Sequence, residues 1–154
     1  MNTILVGILI LVVVILSLGF FRTEQIQKGG NENLFKSGTL PKQALNGFYK
    51  GQAAIMGLWR GKSFDSSDSS GINIIESFNK TTPIFPFKTY SGNGLLDPNL
   101  AVLKIDYNIS SNPFWVKPVV DELVQIGPNQ YLGKTIFRLV PGLPFGIMYF
   151  KLAK

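Results

Sequence analysis

The sequence predicts a mainly β domain behind a single N-terminal transmembrane helix. Three observations predict it. Residues 4–21 form an uncharged apolar run. Beyond Gly51 the apolar residues follow period 2 or short continuous runs, where the segment before it follows a helical period. Gly, Pro, Asn and Ser interrupt those later runs about every eight to twelve residues, the rhythm of an all-β domain.

The apolar run is ILVGILILVVVILSLGFF, eighteen residues. As an α-helix at about 1.5 Å per residue it reaches roughly 27 Å, close to the hydrocarbon thickness of a bilayer. A cleaved signal peptide is the rival reading, since Ser17-Leu18-Gly19 offers a small-x-small site. The run exceeds the usual signal core, however, and no Lys or Arg precedes it. Arg22, Lys28 and Lys36 follow it, so the positive-inside rule places the C-terminal domain in the cytoplasm. Cleavage would instead make the domain secreted or periplasmic. The expected organisation is an anchor over residues 1–21, a polar tether over 22–38 with Gly29-Gly30 at its middle, and the β domain over 39–154.

Composition excludes several chemistries. The 154 residues include no His and no Cys. That removes disulfides, thiol nucleophiles, zinc fingers, His-containing triads and imidazole proton shuttles. No metal site or cofactor is expected. With 15 Lys+Arg against 9 Asp+Glu the net charge is +6, attractive to anionic headgroups. The basic residues are spread singly without a stripe or motif, so no nucleic-acid partner is expected.

Thr39 reads as an N-cap, with Pro41 in a first turn and Leu40, Ala44, Leu45 and Phe48 at helical spacing up to Gly51. Strands are expected over residues 53–64, 72–79, 84–91, 100–108, 116–126, 131–140 and 145–152. About seven antiparallel strands in a hundred residues must form a sandwich or a barrel. The preceding helix and the closing meander favour the barrel.

On the first of these strands stands Gly57-Leu58-Trp59-Arg60-Gly61-Lys62. This G-x-W-x-G string resembles the calycin superfamily, the lipocalins and their relatives, which carry a G-x-W on the first barrel strand. The resemblance implies a lipocalin-like antiparallel barrel closed at one end by Trp59 beneath a basic residue from the last strands, with Gly57 allowing close approach. Arg138 is the expected partner and Lys134 the second choice. Alternation groups Ile136, Arg138 and Val140 on one face, read as the interior.

Twelve Phe, five Tyr and two Trp are enough to fill a small barrel or to line a narrow apolar pocket. Arg138, Tyr149, Tyr107 and Trp115 are the candidate ligand-binding residues of such a pocket. Asp106, Asp121 and Glu122 are the acids available for catalysis, and no catalytic residue is assigned. The expected function is therefore non-enzymatic: a membrane-anchored, lipocalin-like domain binding an apolar or amphipathic small molecule of the lipid or fatty acid class. The alternatives are a filled barrel that docks a membrane-protein partner, or a carboxylate enzyme acting on a hydrophobic substrate.

Overall fold

The computed structural model describes residues 2–53 and 56–154. Two helices come first, α1 (Thr3–Gln27) and α2 (Gly30–Ser37). Eight strands follow: β1 (Gly47–Ala53), β2 (Trp59–Asp65), β3 (Ser70–Ser77), β4 (Lys80–Asn93), β5 (Ala101–Asp106), β6 (Val119–Gly127), β7 (Gln130–Val140) and β8 (Leu143–Ala153). Each strand pairs antiparallel with its successor, and β1 pairs with β8, closing the barrel.

Closure decides the first difference from the sequence reading. The expected helix over 39–51 is not formed; its second half is β1. Left without β1, β8 would present an unpaired edge. Tyr49 and Ala53 of β1 pack into the interior and Gly51 lies against Trp59. Gly47 starts the strand at φ +81, a conformation that favours glycine. The expected strand over 53–64 is accordingly divided, so the G-x-W string opens β2 and not the first strand.

The expected tether is also structured. Thr23, Ile26, Glu32 and Phe35 are all buried against the barrel. Phe35 is sealed among Val102, Val124 and Leu132 on the outside of β5, β6 and β7. Pairing register lines up Lys104, Glu122, Lys134 and Tyr149 across the outside of β5 to β8. Glu32 accepts a hydrogen bond from the Tyr149 hydroxyl. Lys134 Nζ lies 3.1 Å from Glu32, 2.7 Å from Asp97 and 4.4 Å from the centre of the Phe35 ring. A cation so deeply buried is tolerable because two carboxylates and a ring face surround it.

The meander gives the barrel two distinct ends. At one lie residues 56–58, the Phe78-Asn79 turn, the 107–118 loop and the 141–142 turn. At the other lie the turns after β2 and β6. The interior toward this second end is filled by Tyr49, Phe64, Phe87, Leu123 and Tyr131, with Leu45 beneath them.

Candidate functional site

Gly61 positions the site. It sits at φ +142, and a Cβ there would meet the Tyr49 carbonyl oxygen at 2.0 Å, so no other residue fits. The β2–β3 register slips by one residue between Trp59 and Gly61. Such a bulge shifts the phase of a strand. Trp59, Lys62 and Phe64 are consequently all buried, although Trp59 and Lys62 are three residues apart.

Lys62 is the centre of the interior polar cluster. Its Nζ lies 2.9 Å from Asp121 Oδ2 and donates to Asn73 Oδ1 at 2.8 Å and to the Tyr107 hydroxyl. Tyr107 in turn donates to Asp121 at 3.0 Å, and Thr135 donates to the other carboxylate oxygen at 2.7 Å. Trp59 Nε1 donates to Asn73 Oδ1 at 3.1 Å, and Asn73 Nδ2 donates to the Phe85 carbonyl at the same distance. That carbonyl is aimed by a second bulge, in the β3–β4 pairing, where Phe85 has φ +51. The rings of Trp59, Phe87, Tyr107 and Phe150 surround the ammonium at 5.1–5.5 Å.

Burial pushes the Lys62 pKa down, against the opposing pull of Asp121. Burial, reinforced by the neighbouring carboxylate, holds the Tyr107 phenol well above its ordinary pKa, so it remains a hydroxyl. The cluster therefore offers paired charges and phenol and amide dipoles, with no surplus cation for a free carboxylate.

Next to this cluster is a cavity of about 200 Å³. Its apolar wall includes Ile75, Ile84, Val116, Val119 and Met148, and it extends to the exposed Met56 at the first end of the barrel. A cavity of about 150 Å³ holds a benzene-sized molecule. This one has room for a small molecule, or for one end of a longer one.

The sequence-derived candidates divide. Tyr107 lines the cavity. Tyr149 lies on the outer wall with Glu32, and Trp115 is exposed on the 107–118 loop. Arg138 is also outside, with Nη2 donating to Asp106 at 2.9 Å, so the cation beside Trp59 is Lys62 and neither Arg138 nor Lys134. The face shared by Ile136 and Arg138 is external; Ile136 is buried, and Ile26 of α1 covers Gly146, its register partner in β8. Gly57 has open space at its Cβ and serves no close approach. Among the three acids, Asp106 and Glu122 face outward and Asp121 inward, so no two share the cavity as an acid–base pair.

Sequence reasoning did not single out Lys62 or Asn73, and it named Asp121 only as an acid available for catalysis. The second glycine of G-x-W-x-G was the available signal, since a glycine two residues after an inward Trp marks a bulge and a change of phase.

No protein-family model matches the chain, and no curated protein matches it. A solved structure described as a protein from Thermomonospora curvata superposes with a TM-score of 0.56 at 16% identity, covering 80% of this chain and 84% of that one. This similarity is one of fold. The eight-stranded antiparallel closed barrel is consistent with the lipocalin-like architecture expected from the sequence.

Proposed function

We propose that the protein is a membrane-anchored barrel that binds a small amphipathic molecule with its polar end inward. The observation that supports this most directly is the apolar cavity ending on the Lys62, Asp121, Tyr107 and Asn73 cluster. Because the two charges compensate each other and the donors of the cluster are already engaged with one another, what it has left is acceptor capacity on the Asp121 carboxylate, which suits an uncharged head that donates, such as an alcohol. This narrows the lipid expectation away from free fatty acids. The cavity accommodates the head and a few carbons, so a long tail would leave through the end near Met56. Membrane anchoring rests on α1, whose apolar stretch is long enough to cross a bilayer. The basic residues after that stretch favour a cytoplasmic barrel.

Native mass spectrometry of the full chain released from detergent tests the reading. The expected result is a co-purified neutral amphiphile that is lost from Asn73→Leu. A barrel that carries no small molecule, and stays empty after incubation with a medium-chain alcohol, would favour a domain that docks a membrane-protein partner.

A further inference from the structure

We propose that the cavity end of the barrel is seated in the membrane interface, so that the cavity opens into the bilayer. This rests on the proposed anchoring by α1, and its own support is geometric.

The first support is where α1 meets the barrel. Phe20 stacks edge-on against Phe145 at 5.3 Å, and a Cβ on Gly19 would strike the same ring. Arg22 Nε donates to the Ile147 carbonyl at 2.7 Å, and the Gly146 amide donates to Thr23 Oγ1 at 2.9 Å. The apolar stretch thus ends beside the first residues of β8, level with the cavity end. From there the chain runs down the outer wall: Glu32 meets Tyr149, and Thr39 pairs with Gln125 near the opposite end. The apolar part of α1 must therefore project beyond the cavity end, and a bilayer that holds it meets that end of the barrel.

The second support is independent of the helix. Among the described residues outside α1, every large apolar side chain more than half exposed lies at the cavity end: Leu58, Phe78, Phe114, Trp115 and Leu139. They come from four separate segments of the chain that only the barrel brings together. Arg22, Lys80 and Lys117 flank them, the charge expected beside headgroup phosphates. Trp at such a level is the usual occupant of a membrane interface.

Phe78 adds a third. It occupies the first central position of a two-residue turn, at φ +51 with Asn79 at φ +59, where Asn or Gly is favoured. It is also fully exposed. A bulky apolar residue in a left-handed turn and in water is unfavourable on both counts, and burial in lipid offsets the second.

The test uses the full chain in vesicles of phosphatidylcholine and phosphatidylglycerol carrying bromine on the acyl chains near the headgroups. Subtracting the emission of Trp115→Phe isolates Trp115, because Trp59 is the remaining indole. Trp115 is expected to be quenched by the shallow bromines and shielded from aqueous iodide, as for a ring within about 5–10 Å of the headgroup boundary. Phe78→Asn combined with Phe114→Ser is expected to return Trp115 toward water and raise its iodide quenching. Trp115 accessible to iodide and unquenched by lipid in the wild-type chain would overturn the proposal. So would unchanged quenching in the double variant. A lipid-quenched Trp115 on a barrel that takes up no amphiphile would sink the ligand reading and leave the seating intact.

Discussion

Lys62 and Asp121 form a buried ion pair whose value for stability can be separated from the binding role proposed for it. Removing one partner leaves the other charged in a low-dielectric interior. Asp121→Leu strands the Lys62 ammonium among four aromatic rings with one amide oxygen and one phenol. That should cost about 3–5 kcal/mol, a third or more of a typical domain's stability. Lys62→Met leaves Asp121 its bonds from Tyr107 and Thr135 and should cost less, about 2–3 kcal/mol. The double variant Lys62→Met/Asp121→Leu leaves no buried charge at the site. Trp59 and Tyr107 keep Asn73 as partner, and Thr135 loses one bond worth about 1 kcal/mol. The double variant is therefore expected within about 1–2 kcal/mol of the wild type, a large favourable coupling. The assay is denaturant unfolding of the full chain in micelles, followed by the buried Trp59 in a Trp115→Phe background. If the double variant loses as much as the two single variants together, the pair is not interacting as described. If it retains bound amphiphile, the ion pair is not what holds the head.

Three further outcomes follow from the outer wall and the turns. Phe35→Ala should cost about 3–5 kcal/mol in the contacts of α2; because α2 can undock while the barrel persists, hydrogen exchange over 30–37 should rise before that of the strands. Burial opposes ionisation of Glu32, but hydrogen bonds from Tyr149, Lys36 and Lys134 outweigh it and lower its pKa below 4.5. Its stabilising contribution is thus complete above that value and lost as pH falls through the lowered pKa, releasing α2 to proteolysis; Glu32→Gln should flatten this acid response. Glu122 is pushed the other way by burial and works in the opposite sense, so acid release unchanged by Glu32→Gln would refute the assignment. Where Phe78 faces water, Phe78→Asn should raise stability by about 1 kcal/mol in thermal unfolding, since Asn tolerates the left-handed turn; in vesicles the lost lipid burial should cancel or reverse that gain, and a gain of the same size there would count against the seating of Phe78 in lipid.

Local pattern made much of this protein legible. The apolar run of α1 is visible because crossing length and absence of charge are properties of one segment. The turns at Gly127–Gln130 and Pro141–Pro144, and six of the strands, are visible because turn chemistry and period 2 are local as well. What tertiary structure decided involves partners distant in sequence. Leu40, Ala44, Leu45 and Phe48 have spacing that fits a helix ending at Gly51, yet residues 47–53 become β1 because β8, about a hundred residues later, needs a partner. The 22–38 segment reads as polar, but Glu32 and Phe35 fit an outer wall whose own buried cations cannot be recognised one strand at a time. That covered wall also misleads alternation, since β6 and β7 are buried on both faces and Arg138 falls on the outside. Lys62 was hidden for the converse reason: the bulge at Gly61 turns it inward beside Trp59, and one inserted residue reverses every assignment that period 2 can make.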